Sequence, residues 1–254
     1  MSDIHANLPA LHAVLRDAET CGAGDLLCLG DLVGYGTQPG ECVRLIRERA
    51  KVCLRGNHDE YCSCSADEVG DGFAPRAAEM IDWTRSQMSA EDRAWLGRLP
   101  LTAVVDGFQI VHATLDQPQR WGYVFDKLAA SSNFAHQKAR VCFYGHTHVP
   151  VAFVRDSVVR GGTFNQFKVE SNRQYFINVG SVGQPRDGDA RAAYVLYDTG
   201  ASSVELRRVD YDRPSGPSGD DGAGKPVGPR RPPPNDLTNA KQFSDNRQTF
   251  WLLK

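Results

Sequence analysis

Apolar and polar positions along this chain follow two rhythms, and the first half switches between them. Leu8, Leu11, Leu15 and Ala18 recur at helical spacing behind Asn7 as a cap and Pro9 in the first turn, which predicts a helix near the start. The unbroken apolar run 26–29 reads as a buried strand ending at Gly30-Asp31. Pro39 opens a second helix through Val43, Leu45, Ile46 and Ala50, and the strand 52–54 ends at Gly56-Asn57-His58-Asp59. Strand and helix taking turns predict parallel βαβ units. Residues 74–99 are helical again, in two pieces, with Ser89 and Asp92 as a capping box for the second. The strands 108–111 and 140–144 each run straight into a histidine. Beyond residue 150 the pattern predicts antiparallel strands near 151–155, 163–169, 174–179, 192–198 and 203–209. Gly161-Gly162 and Asp198-Thr199-Gly200 are the expected hairpin turns.

Composition changes the picture at Arg213. Residues 213–235 hold seven of the fourteen prolines, including Pro232-Pro233-Pro234, and five glycines. Such a segment buries too little apolar surface to offset its ordering entropy. The expected organisation is one domain over 1–212 and a disordered tail over 213–254, with Phe250-Trp251-Leu252-Leu253 docking weakly or left loose. The net charge of −2 and a 41% hydrophobic content describe a globular chain and exclude a strongly cationic nucleic-acid binder. No apolar run approaches the about 18 residues of a membrane helix. The N-terminus shows no secretory pattern. Seven scattered cysteines do not form a disulfide framework, and the expected location is the reducing cytoplasm.

Five histidines stand in short polar clusters at the ends of apolar strands: Asp3-Ile4-His5, Gly30-Asp31, Gly56-Asn57-His58-Asp59, Val111-His112-Ala113 and Gly145-His146-Thr147-His148. Each fragment alone reads equally as a turn or a surface loop. Together, and in this order, they place three Asp, one Asn and five His where the carboxyl ends of parallel strands converge. Imidazole and carboxylate suit Mn, Fe, Zn or Co, and the lack of cysteine ligands disfavours a closed structural zinc site. So many polar groups exceed one ion and suit two, sharing a bridging Asp at about 3.5–4 Å separation, as in sites that hydrolyse phosphate esters.

These clusters resemble the five-block signature of the calcineurin-like metallophosphoesterase superfamily, in particular its small bacterial phosphodiesterase and diadenosine tetraphosphatase branch. The resemblance spans about residues 2–210. It implies a four-layer αββα sandwich of two mixed sheets flanked by helices. It implies Asp3, His5 and His148 on one divalent metal, Asn57, His112 and His146 on the other, and Asp31 bridging. Mn²⁺ is the expected ion, with Fe, Zn, Mg, Ni or Co as alternatives. The implied reaction is in-line attack on phosphorus by a metal-bridging hydroxide, with His58 as general acid and Asp59 orienting it. The implied substrate is small and phosphorylated, nucleotide-like or another phosphodiester, phosphoanhydride or phosphomonoester. A non-catalytic scaffold of the same fold is the alternative. The stretch 178–186 resembles a family loop, with Val179 where proline is usual. There Ser181 and Arg186 are candidate phosphate contacts, and an ordinary strand-to-loop turn is the other reading. Arg120-Trp121-Gly122-Tyr123 is either a nucleobase stack or a packed lid. One departure stands out. The family opens with a strand before its first Asp, and here only Met1 and Ser2 precede Asp3, so the first strand is expected to be missing or truncated and Asp3 and His5 poorly held.

Overall fold

The computed structural model describes residues 1–64 and 75–212, so the expected tail from Arg213 lies outside the described residues. Leu8–Thr20 (α1) begins where the Asn7 side chain accepts the Ala10 amide, with proline in its first turn. It is followed by Leu27–Cys28 (β1), Pro39–Arg49 (α2), Val52–Cys53 (β2) and Asn57–Ser63 (α3), and β1 pairs β2 in parallel. Pro75–Ser86 (α4) and Ala90–Gly97 (α5) follow, the second capped by Ser89 as expected. Then come Thr102–Val105 (β3), Phe108–Val111 (β4), Lys127–His136 (α6), Val141–Tyr144 (β5), Val151–Arg155 (β6), Val159–Gly162 (β7), Gln166–Lys168 (β8), Gln174–Asn178 (β9), Ala192–Asp198 (β10) and Ser203–Val209 (β11).

Three apolar clusters stack these elements into layers. The six-stranded sheet β3-β4-β5-β9-β6-β7 is parallel across β4, β5 and β9 and antiparallel elsewhere. One of its faces meets α6 through Phe134 and Ala130 against Tyr144, Phe153 and Phe176. Its other face, with Phe108, Ile110, Phe143 and Ile177, packs against Leu29, Leu54 and Val204 of the β1-β2 and β10-β11-β8 layer. That second layer is covered in turn by α1, α2 and their neighbours through Leu11, Val14, Val43 and Ile46. The order is helix, sheet, sheet, helix, the αββα arrangement expected. No helix among the described residues is long and apolar enough to cross a membrane.

Three expectations are corrected. Gly161-Gly162 lies inside β7, and the hairpin turns earlier, where the Asp156 carboxylate accepts the Ser157 and Val158 amides. The strand near 163–169 contracts to Gln166–Lys168. Gly56-Asn57-His58-Asp59 does not trail off a strand but opens α3, with Asp59 as the acidic partner of a capping box.

The second layer is not continuous. Its two strand groups share no ladder. Met1 bonds β1 in the spacing of a parallel pair, its amine donating to the Leu27 carbonyl at 3.0 Å and its carbonyl accepting the Leu29 amide at 2.9 Å. On the opposite flank the Ser2 and Asp3 carbonyls accept the amides of Val182 and Gly183. Residues 1–3 thus fill one end of the gap between β1 and β10. The rest is a cleft of about 720 Å³, walled by Leu27 and Leu29, by Val195 and Tyr197, and floored by Phe108 and Phe143.

Candidate metal centre

Every expected cluster arrives at one rim, beyond the carboxyl ends of β1, β2, β4 and β5. The backbone there is unusual. Asp3, His5, Ala6, Asp31, His146 and His148 all have φ between 48° and 65°, a region that costs a non-glycine residue about 1 kcal/mol or more. Hydrogen bonds hold them in place. The amides of Asp3, His5 and Ala6 donate to the carbonyls of Gly30, Asp31 and Leu32, and the Asp3 carbonyl also accepts the Ser181 hydroxyl at 2.8 Å. Asp3 and His5 are therefore firmly anchored, contrary to the expectation for a chain with so little ahead of them. A side chain on Gly56 would run into the Asp31 carboxylate, so only glycine lets the two segments approach this closely.

Two groups of buried side chains present ligand atoms within 4.8 Å of one another: Asp3, His5, Asp31 and His148, and Asp31, His112 and His146. Asp31 belongs to both. Its Oδ2 lies 3.4 Å from His112 Nε2 and 3.7 Å from His5 Nε2. Asp3 Oδ1 lies 3.3 Å from His148 Nε2. Each imidazole is tethered by a backbone carbonyl at its other nitrogen. His5 Nδ1 donates to Val33, His112 Nδ1 to Leu29, His148 Nδ1 to Gln184, and His146 Nε2 to Trp121. A carbonyl fixes the proton on the tethered nitrogen and leaves a lone pair on the free one. His5 Nε2 and His148 Nε2 then bring two lone pairs to 3.1 Å of each other. Such a contact is repulsive unless the two nitrogens share a proton or a metal ion. Asn57 Oδ1 and His112 Nε2 are likewise buried without a hydrogen-bond partner. Orphaned atoms of this kind normally have an explanation, and a divalent ion fits these. The donors, nitrogen and oxygen only, suit Mn, Fe, Zn or Co equally.

The carboxylates that would face a metal ion also attract protons. Burial opposes a proton on His112, but the Asp31 carboxylate, backed by Asp3 and Asp59, overcomes it and pushes the group up to about 9. Burial lowers His146 to about 3, with His112 reinforcing the shift. His58 is also lowered, first by burial, with Asp31 opposing. Its ring forms a triangle with those of His5, at 5.0 Å between centroids, and Tyr35, at 4.7 Å.

The structure revises two roles. Asp59 does not touch the His58 ring. Its two oxygens accept the amides of Asp31, Leu32 and Gly56 at 2.8–2.9 Å, while His58 Nδ1 has no partner. Asp59 therefore fixes the Asp31 turn rather than the proton donor. Ser181 is fully buried, with its hydroxyl committed to the Asp3 carbonyl and to the Gln184 amide, so it supports the rim. Arg186 stays exposed, with its amide tied to the His148 carbonyl and its guanidinium to Gln184. Asn178 was not singled out from sequence. Its amide group bonds the Gly145 carbonyl and the Thr147 hydroxyl, which shapes the loop carrying His146 and His148.

Comparison with known proteins agrees with this geometry. A profile described as the calcineurin-like phosphoesterase superfamily domain matches residues 1–202. The chain belongs to that family. It is 36% identical to an uncharacterized protein of Methanocaldococcus jannaschii over 84% of this chain and 86% of the relative. It is 28% identical to the phosphodiesterase YfcE of Escherichia coli over 80% and 88% of the two chains. Among solved structures, a metallophosphoesterase from Sphaerobacter thermophilus superposes with a TM-score of 0.72 and 38% identity, covering 84% of this chain and 87% of that one. Family members are named for hydrolysing phosphoesters, and the buried ligand groups here are of the kind that hold divalent metals.

Proposed function

We propose that this chain is a dinuclear, Mn²⁺-dependent phosphodiesterase. Asp3, His5 and His148 hold one ion, Asn57, His112 and His146 the other, and Asp31 both. The observation carrying this reading is the convergence of His5 Nε2 and His148 Nε2, 3.1 Å apart, beside a carboxylate, Asp31, that also belongs to a second ligand group. When bound, the two cations would supply charge neutralisation at the phosphoryl oxygens and a water of lowered pKa. The protein supplies the rest. Carbonyl tethers keep the imidazoles in one tautomer, and His58, beside His5 and partly open to solvent, donates a proton to the departing ester oxygen. The YfcE likeness favours diesters over monoesters.

The test measures metal content and turnover on one sample, with bis(p-nitrophenyl) phosphate, an aryl monoester and a dinucleoside tetraphosphate. Two ions per chain, and diester hydrolysis lost on chelation and restored by Mn²⁺, are expected. His58→Ala should keep both ions and lose about a hundredfold to ten-thousandfold in kcat. A single ion per chain, or full metal loading without turnover of any substrate, overturns the reading and leaves the non-catalytic scaffold.

A further inference from the structure

The mouth of the metal centre is ringed by aromatic side chains that the hydrolytic mechanism does not use. Few large apolar residues among those described are exposed, and three of them gather here: Tyr35 at 46%, Tyr123 at 46% and Phe125 at 64%. They fall on two flanks. Tyr35 stands beside His58 and His5, at 4.7 and 4.8 Å between ring centroids. On the other flank Tyr123 lies tilted over His146 at 4.3 Å, and Phe125 stacks on Tyr123 at 5.4 Å with only 6° between the rings. His146, Tyr123 and Phe125 thus form a column of rings leading outward from the ligand group, and its far end is open to water. Between the flanks, the Arg186 guanidinium interacts with the Tyr35 phenol and lies near that of Tyr123.

A lid that merely packed would bury these rings. Here they keep 46–64% of their surface in water, and a cluster of exposed rings at the rim of a site offers a flat face to a ligand. We propose that Tyr123 and Phe125 are a stacking platform for the substrate, so that the site prefers phosphodiesters carrying a nucleoside or another planar aromatic group over those carrying an aliphatic one. This rests on the phosphodiesterase reading above. The two flanks assign the two ester groups. His58, the proton donor, shares its flank with Tyr35, so the leaving oxygen exits there, and the group that stays on phosphorus lies over Tyr123 and Phe125. Water adds its oxygen to phosphorus, the bond to the leaving oxygen breaks, that oxygen takes a proton, and a monoester of the platform-bound group remains. Arg186, exposed between the rings, faces the phosphoryl charge.

Two substrates with the same leaving group isolate this effect: thymidine 5′-(p-nitrophenyl) phosphate and methyl p-nitrophenyl phosphate, each with the Mn²⁺-loaded full chain. Stacking on an aromatic side chain contributes enough for about tenfold to a hundredfold, so kcat/KM should favour the thymidine ester by that factor, chiefly through KM. Phe125→Ala should bring the ratio close to one, and Phe125→Trp should restore it, which a purely structural role would not do. Equal kcat/KM for the two esters, or an unchanged ratio in Phe125→Ala, overturns the platform while leaving the hydrolase intact. If neither ester turns over, the hydrolase reading has failed. Calorimetric binding of thymidine 5′-phosphate against methyl phosphate then decides the platform on its own, and equal affinities reject it.

Discussion

At the carboxyl end of β1, Asp31 is bonded from every side: its amide to Asp59, its carbonyl to the His5 amide, its Oδ1 to the His58 amide. Along the flank of the same strand lies a cleft of about 720 Å³, lined by apolar side chains such as Leu27 and Tyr197 and by charged ones such as Asp25 and Glu205. One strand therefore borders both a densely hydrogen-bonded rim and an open cleft. The metal rim does not draw its order from a complete sheet. It draws it from short polar contacts between loops, and residues 2–6 are pinned by β1 and by the 181–183 turn whatever lies in the gap beside them.

That contrast can be broken at four points. Asp31→Asn attacks the rim where it is most shared. We expect both ions to be lost or weakly held and diester hydrolysis to fall by about a thousandfold or more, roughly 4 kcal/mol of barrier; metal analysis with steady-state kinetics checks it, and full loading with normal turnover would refute the bridging role. Ser181→Ala removes one supporting bond to Asp3. Metal affinity should drop about tenfold to a hundredfold, read by titration with Mn²⁺.

The cleft answers to a different measurement. A chain carrying five alternating apolar residues ahead of Met1 can lay a strand along β1, and each buried aliphatic side chain contributes about 1.5–3 kcal/mol before ordering costs of similar size are subtracted. Its Tm should exceed that of a Gly/Ser-extended control by about 5 °C, since 1 kcal/mol moves a domain of this size by about 2–4 °C. Metal affinity should stay the same. Equal Tm values would show that the cleft does not accept a strand.

The smallest effect lies at the outer edge of α1, where Asp17 accepts from Arg207 and from the Tyr194 hydroxyl. Arg207 above all, and Tyr194 after it, hold the Asp17 carboxyl below its ordinary value. A depressed carboxyl stabilises the fold above its unfolded pKa, and that contribution fades as pH falls from about 4 through the depressed value. Asp17→Asn should therefore cost about 0.5–1 kcal/mol at pH 7 and nothing once the wild-type carboxyl is protonated, as compared in urea melts at pH 7 and in strong acid.

Much of this was legible in the residues. Periodicity located α1, α2 and most strands, because their buried faces are unbroken. β3 escaped notice because it is an edge strand whose side chains alternate between exposed and half-buried without a strong apolar run. The clusters that meet at the rim were readable because all but the first are polar breaks directly after an apolar strand. The tethers were not. Four imidazoles are held by the carbonyls of Leu29, Val33, Trp121 and Gln184, and a carbonyl leaves no mark in residue type. Asp59 was misread for a related reason. Next to His58 in sequence, it suggests a pair, but the first turn of α3 points the carboxylate back to the Asp31 amide instead. Only Asn178 and Ser181, polar residues at and just beyond the end of β9, left a trace.

The tethers couple chemistry to distant parts of the chain. Because each of four rings leans on a different stretch of backbone, the pull of the centre on its cations reports on the posture of four loops at once. The loop that steadies His146 through Trp121 also carries Tyr123, whose ring lies over His146, so a ligand settling on that ring would press on His146 beneath. Grip on a cation and grip on its cargo would thereby be one mechanical quantity, set by the same few residues of chain.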